Sequence, residues 1–351
     1  MKFKRVCRGI GIAAGCIVAA AAGVLTYYTV REYRPDEVES IRPAGGERAL
    51  KQGEELSILT YNTGYAGLDR SADFFMDGGT KVNPKSRAKV EENLAGIAET
   101  LQQYPAAIYC LQEVDFDSAR TFGIDEQAYY EEALGLSGMA ALNYKCDFVP
   151  YPLPPIGKVE SGLVTISEYQ VSQANRISLP VPFSWPVRTC NLKRCLLETR
   201  IPVEGTDKEL VFYNLHLEAY DNGEGKAAQS RMLAELLEKE YEKGNYVIAG
   251  GDFNQTFEQV SKYPIQNTQY WVPGTIWEED LPEGFSFAVA DNYPTCRLLN
   301  APYTGDYETS QTYVIDGFIV SPNVKVKSVE VINVDFEYTD HQPVYLSAVL
   351  G

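Results

Sequence analysis

"NYVIAGGDFN", residues 245–254, is an unbroken apolar run that passes two glycines and ends in Asp252 and Asn254. Upstream, "ELVFYNLH", residues 209–216, has the same build and ends in His216. Between them, residues 226–242 place Met232, Leu233, Leu236 and Leu237 on one face at helical spacing, with Gly244 as the stop. The unit reads as strand, helix, strand, and each strand hands over to a polar residue.

The same plan occurs earlier in the chain. "LSILTYN" ends in Asn62, residues 84–104 carry Val90, Leu94, Ile97, Ala98 and Leu101 on one helical face, and Pro105 stops that helix. "AAIYCLQEVD" is then a buried strand containing Glu113. Further strands fit "SGLVTIS", "KRCLLETRIPV", "TYVIDGFIVS" and "SVEVINV". Many strands with few long helices predict two packed sheets with helices outside. Residues 255–311, rich in Trp, Tyr, Pro and Gly, and residues 64–83, with "DFFMDGG" in them, read as surface excursions of the kind that border binding sites. No second break interrupts the chain, so residues 55–351 are expected to form one domain.

The N-terminus obeys a different rule. Lys2, Lys4, Arg5 and Arg8 precede an uncharged run from Gly9 to Val30. As a helix that run spans roughly 33 Å, close to the ~30 Å core of a bilayer and longer than the apolar region of a cleaved signal. Residues 1–34 are therefore expected to be a cytoplasmic N-terminus with a single-pass anchor over about 9–30, and residues 35–54 a linker. The basic flank places the body outside the cytoplasm; a cleaved signal is the other reading. The chain carries −17, and the first 34 residues hold six basic groups and one acid, so the body carries about −22. Long-range attraction does not hold such a body to DNA or RNA. The cysteines of the body are expected to be plain buried thiols; a Cys190–Cys195 pair across a bend in an exported protein is the alternative.

Asn62, Glu113, His216, Asp252, Asn254, Asp316, Asp340 and His341 all lie in or at the ends of apolar strand segments, and they include both histidines of the chain. Any one of them is ordinarily a turn cap or a packed polar residue. Eight on the strand ends of one domain, if those ends share a side, meet in one pocket. Buried carboxylates without counter-charge are costly, so a divalent cation is their natural partner. The oxygen-rich set without a thiolate cluster suits Mg²⁺, or Mn²⁺, better than Zn²⁺.

"LTYNTG", "CLQEVD", "NLHLEA", "GGDFN", "VIDGFIVS" and "TDHQPV", in this order over about residues 54–351, resemble the motif set of the endonuclease/exonuclease/phosphatase superfamily. The superfamily includes deoxyribonucleases, AP endonucleases, neutral sphingomyelinases and inositol polyphosphate 5-phosphatases. The resemblance implies an α+β fold, a four-layer αββα sandwich of two mixed sheets, and metal-dependent hydrolysis of a phosphate ester. It implies that Glu113 holds Mg²⁺ with Asn62 and Asp340 near it, and that Asp252 or His341 activates water. Asp316 then orients His341, while His216 and Asn254 donate to the phosphate oxygens. Arg194, Thr295 and Arg297 are further candidates for holding substrate.

The substrate stays open. "ESGLVTIS" lacks the Tyr-Gly of AP endonucleases, and "GDFNQT" and "PTCRLL" lack the longer motifs of the 5-phosphatases. The tether fits a lipid headgroup, or extracellular nucleic acid or nucleotides. Phe74, Phe75, Met76, Trp271 and Trp277 in the long loops are candidates for contact with a membrane or lipid chain, or for packing back on the domain. A tethered domain that binds phosphate or nucleic acid without turnover is the alternative to an enzyme.

Overall fold

In the strand Glu55–Asn62, Leu56 and Ile58 point one way and Leu59 and Tyr61 the other, and both sets are buried. A strand buried on both faces needs a layer on each side. Here one layer is a second sheet and the other is a pair of helices. The structure is a computed structural model and describes residues 2–221, 223–307 and 309–351.

The six-stranded sheet runs, in spatial order, Val324–Val331, Val344–Leu350, Glu55–Asn62, Ile108–Asp115, Gly157–Ser167 and Gly138–Val149. The eight-stranded sheet runs Val38–Ile41, Gln173–Ser178, Cys195–Glu204, Glu209–His216, Tyr246–Asp252, Asp316–Val320 and Ser286–Ala288, with Leu50–Lys51 beside Cys195–Glu204. Leu56, Ile58 and Ile108 meet Phe212, Ile248 and Phe318 between the sheets. On the outer faces, helix Arg87–Gln103 covers one sheet with Val90, Leu94, Ile97 and Leu101, and helix Glu224–Glu242 covers the other with Leu233 and Leu237. The result is the four-layer αββα sandwich, with two mixed sheets.

Each strand-helix-strand unit closes as a parallel pair, as a helical crossover demands. Glu55–Asn62 pairs in parallel with Ile108–Asp115, and Glu209–His216 with Tyr246–Asp252. Within each sheet the polar ends of the paired strands therefore face the same way. A polar contact crosses the apolar interior: Gln112 Nε2 donates to Asn214 Oδ1 at 2.9 Å, and Asn214 Nδ2 donates to Val164 O at 2.9 Å. The second glycine of "GGDFN" has a simple cause. Gly251 has φ +147, and a Cβ there would lie 2.0 Å from Leu215 O.

Two expectations need correction, and one alternative falls away. Residues 35–54 are not a free linker: Val38–Ile41 forms an antiparallel edge strand on Gln173–Ser178, and Leu50–Lys51 lies parallel to the Cys195–Glu204 strand. Cys190 and Cys195 are not paired, and all seven cysteines are free thiols. "TYVIDGFIVS" is not one strand, because Thr312–Tyr313 pairs with Cys296–Arg297 outside the large sheets before Asp316–Val320 joins one.

At the N-terminus one helix, Lys2–Arg31, is long and apolar enough over Cys7–Arg31 to cross a membrane. Its C-terminal end is fastened to the domain. Arg31 Nε pairs with Asp147 at 2.6 Å, Trp185 Nε1 donates to Thr29 Oγ1 at 3.0 Å, and the buried Glu32 pairs with Arg34, Arg188 and Lys193.

Candidate active site

Asp252 is the last residue of its strand and stands between two cross-strand neighbours, His216 and Asp316. Its Oδ2 accepts from Asn62 Nδ2 at 3.0 Å and faces His216 Nε2 at 3.5 Å and His341 Nε2 at 3.7 Å. Asn254, two residues on, returns its backbone N–H to Asp252 Oδ1 at 2.8 Å and adopts φ 50. His341 Nδ1 bonds Asp316 Oδ2 at 2.9 Å, which leaves Nε2 turned to Asp252.

Glu113 belongs to the other sheet. Its strand carries a bulge between Leu111 and Val114, and Glu113 sits in it with φ 55. A bulge re-aims a side chain that regular alternation would send elsewhere. Its Oε1 accepts from Asn62 Nδ2 at 3.1 Å and lies 3.9 Å from His216 Nε2. The metal candidate Glu113 and the catalytic candidate Asn254 thus hold left-handed backbone that non-glycine residues rarely adopt, a form of strain that clusters at functional sites.

The charge balance explains what such a cluster lacks. Burial, then the Asp316 carboxylate, push Asp252 up to about 6 against the pull of His341. Burial and the nearby Glu113 push Asp340 up to about 7. Burial lowers His216 well below the ordinary imidazole value, with Arg194 adding to it. Burial also acts downward on His341, but Asp316 outweighs it and holds the ring well above its ordinary value. Several buried acids share one pocket with too little positive charge, and their donors are oxygens with imidazole nitrogen alongside. Asp252, Asp316 and His341 form one group able to hold a divalent cation, and Asp340 and His341 form another with the buried Cys296 thiol.

All eight polar residues at the strand ends are therefore brought together, but some stand in unexpected roles. Asn62 offers Nδ2 to both carboxylates and accepts from Gly64 N–H at 3.0 Å through Oδ1, so its oxygen is committed to backbone. Arg194 reaches the cavity while pairing with Glu218 at 3.3 Å and donating to His216 O at 3.1 Å. Thr295 is fully buried and does not reach the cavity. Its Oγ1 accepts from the N–H groups of Ile315 and Asp316, which fixes the residue that orients His341. Arg297 touches the cavity but donates to Asp69 O, Ala72 O and Ala301 O, stitching down the 64–83 excursion. Phe74, Phe75, Met76 and Trp271 line the cavity, whereas Trp277 lies apart from it.

Sequence reasoning missed three lining residues. Arg120 pairs with Asp115 at 2.8 Å and lies 3.6 Å over the Tyr65 ring, and Tyr220 O–H donates to the buried Asp77 at 2.8 Å. Asp77 was visible in "DFFMDGG"; Arg120 and Tyr220 had no strand-end signature.

Two packed mixed sheets carry acids, amides and a His–Asp pair at the ends of their central strands. The sequence model of the Endonuclease/Exonuclease/phosphatase family matches residues 59–341, and the chain belongs to that family, whose members are generally metal-dependent phosphoesterases. Among solved structures, an endonuclease/exonuclease/phosphatase protein from Beutenbergia cavernae is 21% identical with a TM-score of 0.60, over 85% of this chain and 72% of that one. One from Bacteroides vulgatus is 15% identical with a TM-score of 0.55, over 85% and 100%. One from Leptotrichia buccalis is 17% identical with a TM-score of 0.54, over 84% and 99%. At these identities the likeness concerns the fold. No curated protein matches the chain at a significant level.

Proposed function

We propose that the chain hydrolyses a phosphate ester with a bound Mg²⁺ or Mn²⁺, in a domain tethered by its N-terminal helix outside the cytoplasm. The observation that carries this is the convergence of Asp252, His216 and the Asp316–His341 pair opposite Glu113 and Asp340. Glu113 and Asp340 would hold the cation, which when bound neutralises phosphate charge and stabilises the leaving oxygen.

The rest falls to the side chains. Asn62 holds the Glu113 and Asp252 carboxylates together through one amide nitrogen. Water attacks phosphorus and its proton goes to the Asp252–His341 pair, whose facing atoms are 3.7 Å apart. The ester P–O bond breaks and the leaving oxygen takes up a proton, giving an alcohol and a phosphate product. His216, neutral through burial, can donate one N–H to a non-bridging oxygen as charge builds there. Asp316 fixes the orientation of His341 and stabilises its positive charge. The apolar helix Cys7–Arg31 and its basic N-terminal flank support the tether and the outward-facing domain.

The test is hydrolysis of bis-p-nitrophenyl phosphate by the full chain with Mg²⁺ or Mn²⁺ and with EDTA. Activity should need the metal, and Asp252→Asn should lower it by about 10³-fold or more, on the scale of a lost general base or oriented donor. Equal rates for the folded variant and the wild type would sink the reading.

A further inference from the structure

The cavity that holds the site is larger than the chemistry at its floor requires. It encloses ≈ 910 Å³, near the upper end of the ~300–1,000 Å³ typical of small-molecule sites. Its polar groups include the buried His216, Asp252 and His341. The rest of the lining is largely apolar and more exposed, with Phe75, Tyr151, Ile156 and Val187, and it includes Val24, Leu25 and Tyr28. Those last three belong to the N-terminal helix and lie within its apolar run.

The rim is apolar as well, and it is exposed. Tyr151 and Val187, which line the cavity, are 70% and 59% exposed, and Leu153 and Trp185, two residues from them along the chain, are 87% and 50% exposed. Trp185 is bonded to Thr29 of the helix, so this rim lies where the helix meets the domain. Exposed apolar side chains gathered around a pocket mouth mark a surface that meets a lipid or another apolar partner. The cations near the mouth are already engaged: Arg188 and Lys193 with Glu32, and Arg31 with Asp147. A polynucleotide needs a track of available basic groups, and a body of about −22 with this rim does not supply one.

We infer that the substrate is a membrane amphiphile. Its phosphate ester seats at His216, Asp252 and His341, and one aliphatic chain leaves through the mouth along Val24, Leu25 and Tyr28. The inference rests on the phosphoesterase reading and on the helix as anchor. Because the helix that enters the bilayer also walls the cavity, a chain can pass from membrane to site along an apolar surface without crossing water. The water oxygen bonds to phosphorus and one ester oxygen leaves as an alcohol. The chain-bearing product can then return to the bilayer by the same route.

The test uses the full chain in dodecyl maltoside micelles with Mg²⁺ and three p-nitrophenyl phosphodiesters whose second ester group is methyl, butyl or octyl. The reacting centre and leaving group are constant, so the series reads the chain alone. We expect kcat/KM to rise about thirtyfold or more from methyl to octyl, since each methylene taken from water into an apolar wall contributes a few-fold. Tyr151→Ser/Val187→Ser, at exposed positions, should cut the octyl-to-methyl ratio about fivefold or more by removing part of that wall. Partition into the micelle is common to both proteins and cancels in this comparison. A flat series overturns the inference and leaves the phosphoesterase reading intact. So does a slope that the double variant leaves unchanged, or faster cleavage of single-stranded DNA than of the octyl ester. Failure to cleave any ester with Mg²⁺ or Mn²⁺ removes both.

Discussion

The two strand-helix-strand units supply the two halves of the site in different ways. In the second unit Asp252 sits in regular register, flanked by His216 and Asp316, with its side chain 2% exposed. In the first, Glu113 is thrown out of register by a bulge and its side chain is 25% exposed. A regular strand end encloses its acid among neighbours on both sides. A bulged one turns its acid into open space. The enclosed acid suits proton transfer, and the open one suits an ion that must enter from solvent.

That contrast can be broken by metal titration. Glu113→Gln should lower activity about 10²–10³-fold at low Mg²⁺, raise the half-saturating Mg²⁺ about tenfold or more, and recover partly at high Mg²⁺. Asp252→Asn should not recover at any Mg²⁺ concentration. If both variants respond to metal alike, the division of labour between the units is wrong.

A smaller effect tests the regular strand. Gly251→Ala forces a Cβ against Leu215 O at a backbone φ of +147. The strand pair must part, and we expect a loss of about 3 kcal/mol in urea unfolding. A loss under about 1 kcal/mol would mean that the strand end yields and is not the rigid support described.

The smallest effect concerns the second unit's helix. Glu240 bonds Arg200 at 2.8 Å on the neighbouring sheet and Asn245 at 2.9 Å. Glu240→Gln should cost about 1 kcal/mol at pH 7, a figure kept low because solvent screens part of the pair. Burial raises the pKa of Glu240, but Arg200 and Lys243 outweigh it and bring it from 4.5 down to about 2. The contribution is therefore complete above about 4.5 and is lost as pH falls toward about 2. Denaturation of both proteins along that range should show the gap closing; a constant gap would assign the loss to packing.

The two units were legible because their strands are buried on both faces, so each is a continuous apolar run and its polar terminus stands out. The strand Gly138–Val149 was not read, because it lies at the sheet edge with alternating half-exposed residues and carries Asn143, Lys145 and Asp147. Val38–Ile41 left even less trace. An edge strand is held by backbone hydrogen bonds, which demand no apolar side chain. In the site, residues at strand ends could be collected from the chain. Arg120, Tyr220 and the helix wall could not, since their contacts join segments such as Arg31 and Asp147 that lie far apart in sequence. Thr295 was marked as a substrate contact because it lies near a motif, but the space around it is filled by backbone donors.

The bond between Gln112 and Asn214 has a consequence for alignment. Apolar surfaces tolerate sliding, whereas a hydrogen bond of 2.9 Å between fixed amides permits one setting. Gln112 immediately precedes Glu113, and Asn214 stands two residues before His216. The sandwich is thus indexed by a peg and socket set almost directly behind the groups that must meet across it, and any error in seating the two halves has only one or two residues over which to grow.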